Sequence, residues 1–200
     1  MKLYNSIMNN DMAFGSILIE NEHDSIIDPD HEGCLHGKMY RRSIINKNNL
    51  HFNNLKSHED NSFNQLYMLC CEKINFLDDI VYIYKYNSKS ITRTKSNKKD
   101  LLDYIKSMTW LCEEINKRNF SNTYDIGRRI CIIAYYCYFN YLLDTDSLAF
   151  IFNNMRIIKS TYLSYIDNLS YDDRVYLYKR FDYPIIPTIT FFDFMNNITI

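Results

Sequence analysis

Glycine and proline are scarce in this 200-residue chain, at four and three copies. That scarcity excludes collagen-like, elastic and linker-type sequences. The glycines stand alone at Gly15, Gly33, Gly37 and Gly127. Neither a Walker A loop nor a dinucleotide fingerprint can be written with them. A charge of one sign is also missing: 23 basic against 24 acidic residues leave a formal net charge of −1. A dedicated nucleic-acid binder carries a clear basic excess, so no nucleic-acid partner is expected. The longest apolar run, residues 130–143, is 14 residues and includes Asn140. A bilayer span takes about 20 residues, so no transmembrane segment is expected. The opening MKLYNSIMNNDMAF has no apolar signal region. The six cysteines include the adjacent Cys70 and Cys71, and most of the others fall in apolar helical patterns. They read as small hydrophobes rather than a disulfide framework. A reduced, cytoplasmic setting is expected.

What the chain has is ordinary globular content, with 46% hydrophobic and 24% charged residues. It is rich in Asn, Ile, Lys, Tyr and Phe, with 18 tyrosines. These are residues of A/T-rich codons, so single aromatics and asparagines carry little weight. Charge is blocky. Residues 1–32 hold one basic and seven acidic residues, and residues 33–56 hold five basic and no acidic ones. Residues 57–86 return to a net −3, and residues 87–99 again hold five basic residues and no acid. Two basic segments therefore flank a short acidic one.

Residues 1–97 read as α/β. MAFGSILI at 12–19 is an apolar run of strand length. Residues 20–36 read as an exposed acidic loop, and 40–49 as a short helix. Phe63, Leu66, Tyr67, Cys70 and Ile74 recur at helical spacing. DIVYIYKY at 79–86 is a strand rich in β-branched and aromatic residues. So few strands would leave long unpaired edges, so either they pair with something absent or the chain is a piece of a larger fold. Residues 98–200 read as all helix, with a boundary near 97. Leu101, Ile105, Met108, Cys112 and Ile115 form one stripe. Further helices are expected over 126–143, 148–166 and 171–180, with Pro184 and Pro187 beyond them.

Two groups of residues carry possible chemistry. Glu59-Asp60 stands at the start of a helix, where the dipole favours a carboxylate. Asp60 is then either a proton acceptor for a hydroxyl lying against it, or simply a helix cap. Lys38, Arg41, Arg42, Arg93 and Lys95 are either a positive field for a diphosphate or a solvated surface. His31, Cys34 and His36 match no standard zinc spacing.

Taken in order, HGKMYRRSIINKNNLHF, HEDNSFNQL and DDIVYIYKYNSKSITRTKS resemble the second half of family-2 glycosyltransferases, which have the GT-A fold. The matching pieces are Gly37 to Arg42, Glu59-Asp60, Tyr82-x-Tyr84-Lys85 and Ser90-Ile91-Thr92. The resemblance covers about residues 1–97. It implies transfer of a sugar from a nucleotide-diphosphate donor to an acceptor hydroxyl on a glycan or other molecule, usually with inversion. It implies Asp60 as general base, assisted by Glu59. It places Ser90 and Arg93, with Arg41, near the donor diphosphate, and His36 and Lys38 on the acceptor or donor side. The family's first half, with the D-x-D-type motif that holds Mn²⁺ or Mg²⁺, has no counterpart in this sequence. Asp28-Pro29-Asp30 falls after the first strand and is not that motif. No metal ligand is therefore assigned, and the divalent ion is expected only in the complete enzyme. The expectation is a truncated or split glycosyltransferase, with the donor half supplied by a separate chain or an upstream segment. Its 98–200 region is an all-α C-terminal tail. The alternative is a non-catalytic interaction protein derived from such an enzyme.

Overall fold

A computed structural model describes residues 2–21, 23–29, 34–88, 90, 97–118 and 120, with 154, 156–158, 160 and 161. Met1–Ser96 and Asn97–Ile200 form two compact units. The first is mixed α/β and is organised around one strand.

That strand is β1, Met12–Glu20, whose residues Met12 to Ile17 are all buried. An apolar strand buried on both faces needs neighbours on both edges, or its N–H and C=O groups would go unpaired. One edge is taken along its whole length by a parallel strand, Ile74–Lys85. The other edge is shared by two short antiparallel strands. β2, Ser25–Asp28, pairs with Ile17 to Glu20, and β3, Lys38–Tyr40, pairs with Met12 to Phe14. In chain order the long parallel strand is β4.

The acidic stretch at 20–36, expected as a loop, thus contains β2, and β3 precedes the expected short helix. Strands of four and three residues are too short to show a period in sequence. The hydrogen bonds offered by β1 decide them.

β4 starts earlier than expected, at Ile74, because the preceding helix ends at Leu69. The Asp11 carboxylate accepts hydrogen bonds from the N–H groups of Glu72 (2.8 Å) and Lys73 (3.0 Å), which fixes the turn into β4. The pairing of β4 with β1 shifts register twice, around Ser16, so that Asp78, Asp79 and Val81 are extra residues on β4. Such bulges bend a strand. Gly15 accommodates this one: a Cβ there would lie 2.8 Å from a Val81 methyl and 2.9 Å from the Asp79 carbonyl oxygen. Gly37 has φ +68°, and its N-terminal turn brings its carbonyl to the Gly15 N–H at 3.2 Å.

Among the described residues, three helices accompany the sheet. α1, Lys2–Ile7, reaches Asn75 through Ser6 (2.6 Å) and Asp79 through the Lys2 ion pair. α2, Arg42–Lys47, closes with Asn49 at φ 47°. The Leu50 N–H bonds to Ile45 O and the Asn49 N–H to Asn46 O, the two bonds of a Schellman cap. α3, Glu59–Leu69, buries Phe63, Leu66, Tyr67 and Met68. It packs on the sheet face that carries Tyr40, whose ring meets Phe63 and Tyr67.

In the second unit α4, Asn97–Lys117, buries Ile105, Met108, Leu111, Cys112 and Ile115 completely, as is Ile158. The stripe expected from sequence is therefore the buried face, apart from Leu101, whose side chain lies outside the described residues. Asn116 donates to the Thr161 hydroxyl at 2.8 Å. Residues 154, 156–158, 160 and 161 are helical. The rest of the helices expected beyond residue 120, with Pro184 and Pro187, lies outside the described residues. Among the described residues no helix is long and apolar enough to cross a membrane.

Candidate active site

α3 presents Glu59 and Asp60 in its first turn. The capping position belongs to His58, not Asp60. His58 takes the left-handed conformation, φ 63°, and its side chain makes no capping bond. A non-glycine residue there is strained, and such strain is concentrated at functional turns. The Asp60 carboxylate accepts the N–H of the next residue, Asn61, at 2.8 Å. It thus sits among the unpaired N–H groups of the helix start, where negative charge is stabilised. The preceding loop is tied to the same turn, since Asn53 donates to the Ser62 hydroxyl at 2.9 Å.

Two tyrosines lock this helix to the strands. The Tyr40 hydroxyl donates to Asn64 Oδ1 at 2.8 Å. Burial pushes its pKa well above the ordinary tyrosine value, and Cys34, Tyr67 and Asp60 nearby add to the rise. The group therefore remains a donor. The Tyr67 hydroxyl donates to the Asp11 carbonyl at 2.7 Å and accepts the Arg41 N–H at 2.8 Å. Burial raises its pKa too, against a smaller opposing effect of the Arg41 N–H. Tyr67 joins the start of β1, the end of β3 and α3 at one fully buried point. The sequence marked Tyr67 only as one of a helical stripe.

The residues expected to touch substrate fall in different places. Lys38 lies with Nζ 5.8 Å from the centre of the Phe14 ring, on the face that carries α3. His36 packs against Tyr82 (4.8 Å between ring centres) and Tyr84 (6.0 Å). By register those tyrosines align with Ile17 and Ile19, on the opposite face from Phe14. Arg41 turns to α1. Its Nε donates to Asn10 O at 2.9 Å, and its Nη2 donates to the carbonyls of Ile7, Met8 and Asn10 at 2.5 to 2.9 Å. Carbonyls at a helix end are natural partners for a guanidinium. Ser90 closes a turn through its N–H to Asn87 O at 3.0 Å. Arg93 and Lys95 lie outside the described residues.

The structure thus brings the three sequence segments together through Tyr40–Asn64 and His36–Tyr84. It gathers no cluster of three His, Cys, Asp or Glu among the described residues that could hold a metal ion. Asp28 ends β2, and His31 and Asp30 lie outside the described residues. Among the described residues, therefore, no donor set fits a divalent-ion site.

The chain matches no protein-family model and no curated protein sequence. Among solved structures, it is similar to residues 1–349 of TarS from S. aureus in complex with UDP-GlcNAc. That likeness has a TM-score of 0.57 at 15% identity and covers 90% of this chain. The same protein in complex with UDP gives 0.57 at 14% identity, also over 90% of this chain. TarS is a glycosyltransferase. The fold of this chain is therefore a glycosyltransferase fold. The chain spans 57% and 56% of the two matched TarS chains, little more than half their length.

Proposed function

We propose that this chain is the acceptor side of a family-2-like glycosyltransferase with a GT-A fold. The observation that carries the reading is the likeness, over 90% of the chain, to a transferase structure holding UDP-GlcNAc. The presence of Glu59-Asp60 at the start of a helix locked to the sheet supports it independently.

In the proposed reaction the Asp60 carboxylate takes the proton of the acceptor hydroxyl. The acceptor oxygen forms a bond to the anomeric carbon while the bond from that carbon to the diphosphate oxygen breaks. The nucleoside diphosphate leaves with the electron pair, and the configuration inverts. Glu59 orients the acceptor beside Asp60. Lys38, on the sheet face that carries α3, is a candidate contact for donor or acceptor oxygens. Ser90 and Arg93 remain candidate diphosphate contacts, and His36 a candidate contact on the tyrosine side. Arg41 serves as a scaffold residue, because α1 occupies its donors. On this reading the nucleotide sugar and any Mn²⁺ or Mg²⁺ are held by a donor half corresponding to the part of the TarS chains outside the match.

Asp60→Asn tests the reading. Asparagine keeps an oxygen for the Asn61 N–H, so the melting temperature should move by a few degrees at most. Sugar transfer by the complete assembly should fall at least 100-fold, the low end for loss of a general base. Transfer at the unchanged rate would overturn the role of Asp60. Absence of any transfer with the unsubstituted assembly, across a nucleotide-sugar panel with Mn²⁺, would favour the interaction-protein alternative.

A further inference from the structure

Of the exposed large apolar side chains among the described residues, Phe52 alone lies in the segment that leads into α3. Its ring stacks on Phe63, with centres 4.3 Å apart and planes 24° from parallel. Phe63 is buried and meets the Tyr40 ring in turn, so a chain of ring contacts runs from the core to the surface. Phe63 covers one face of Phe52, yet Phe52 is 44% exposed, which leaves the outer face of its ring open. A single exposed phenylalanine needs no explanation by itself. This one is held in place from both sides. Two residues before it, Leu50 is buried and its N–H bonds to Ile45 O at 3.0 Å. One residue after it, the Asn53 side chain donates to the Ser62 hydroxyl at 2.9 Å and accepts the Leu55 N–H at 3.2 Å.

The ring also stands beside the candidate base. Asp60 and Phe63 are three apart on α3, and residues so spaced are neighbours on a helix surface. Phe52 covers Phe63 and Asn53 is tied to Ser62, so the loop lies against the turn that carries Asp60. Asp60 itself is only half-buried. A molecule bound here must offer a flat apolar face to the ring and a hydroxyl to the carboxylate. A pyranose does both. One face of it presents C–H bonds, which suit the negative face of an aromatic ring, and its hydroxyls project around the edge. A nucleobase would stack equally well. In a nucleotide sugar, however, the ribose and the diphosphate separate the base from the reacting carbon. An open-chain polyol has no flat face to lay on the ring.

We propose that the acceptor is a sugar ring whose C–H face lies on the outer face of Phe52, with one hydroxyl turned to Asp60. Its part as acceptor rests on the transferase reading; the sugar-binding surface does not. Phe52 brings no group to the reaction. It orients the nucleophile, and because its ring is already fixed it does so without an ordering cost at binding. The stack is the same before and during transfer, so its loss should appear in KM for the acceptor rather than in kcat.

The test is NMR on the 200-residue chain carrying isotope-labelled phenylalanine, with the Phe52 signal assigned by its loss in Phe52→Leu. Methyl glucoside, methyl N-acetylglucosaminide and cellobiose are titrated in, with ribitol and UMP as comparisons. The expected result is a saturable shift of the Phe52 ring signals by at least one sugar, with upfield movement of that sugar's ring C–H protons. Asp60→Asn should retain the shift, and ribitol should give none. Phe52→Leu keeps an apolar cover over Phe63 but should lose the upfield movement, whereas Phe52→Tyr should keep it. Circular dichroism checks the fold of each variant. In the complete assembly Phe52→Leu should raise KM for the acceptor about tenfold with kcat held, near the upper end for one aromatic contact, and Phe52→Tyr should restore it. A Phe52 signal that no sugar moves overturns the proposal. So does one moved by UMP alone or equally by ribitol, or an unchanged KM in Phe52→Leu. Sugar binding at Phe52 without turnover by the assembly would sink the transferase reading and leave the surface standing. Turnover that depends on Asp60, with no sugar at Phe52, would do the reverse.

Discussion

The Tyr40 hydroxyl donates to Asn64 Oδ1 at 2.8 Å, and by that bond the end of β3 holds the helix that begins at Glu59-Asp60. Asn64 is fully buried, so the bond is shielded from water. The tyrosine of the Gly37–Arg42 segment is thus a strut for the candidate base, one turn of helix away from it.

Tyr40→Phe should cost about 1–2 kcal/mol, since it removes a donor from a buried acceptor without changing the ring. Urea unfolding followed by circular dichroism measures this. In the complete assembly the same variant should lower transfer through looser placement of Asp60, with the pH profile unchanged. A shifted pH profile would mean that Tyr40 takes part in the proton transfer itself.

Gly15→Ala should destabilise the first unit by about 1–3 kcal/mol, the usual cost of overpacking. Val81→Ala should rescue it only in part, because the Asp79 carbonyl, 2.9 Å from the new Cβ, is backbone. Full rescue would show that the bulge can shift to make room.

Arg41→Lys should release α1. A lysine is a point charge and cannot span the carbonyls of Ile7, Met8 and Asn10 as the guanidinium fork does. The amides of residues 2–10 should exchange faster, while those of α3 hold their protection. Equal loss in both would mean that Arg41 supports the whole unit.

Burial pushes the Cys112 thiol from the ordinary 9.0 up to about 12, and a hydrogen bond with Thr161 only partly offsets this. Its folded pKa is raised, so between pH 9 and 12 the unfolded chain releases a proton that the folded chain keeps. Stability of the second unit should therefore fall as pH rises through that window, by about 1.4 kcal/mol per pH unit from this group. Trp110, the single tryptophan, sits on α4 and reports the transition. Cys112→Val should flatten the slope above pH 9.

Glu114 gives the opposite sign. Burial works to raise its pKa, but hydrogen bonds from Lys117 (3.0 Å) and Arg118 (3.0 Å) outweigh it and hold the carboxyl below the usual 4.5. Its contribution is present above that value and lost as pH falls beneath it. Glu114→Gln should remove a small acid-sensitive part of the stability, seen as a shallower decline of melting temperature below pH 4.5.

Local pattern was enough for several elements. The apolar run at 12–19 is β1, because burial on both faces leaves no room for polar alternation. Ile105, Met108, Cys112 and Ile115 face inward because the 3.6-residue period puts them on one side of α4. Glu59-Asp60 opens α3, as its position before an apolar stripe indicated. Tertiary structure decided the rest. β2 and β3 exist only because β1 offers them an edge, and no run of four or three residues can announce that. Arg41 reads in sequence as one of several basic residues, but the carbonyls it holds lie more than 30 residues away. The split of Lys38 and His36 between opposite faces follows from the turn at Gly37 and from the bulge in β4, which shifts Tyr82 and Tyr84 in register. Periodicity encodes which side of an element is apolar. Which elements meet depends on hydrogen bonds between residues far apart in the chain.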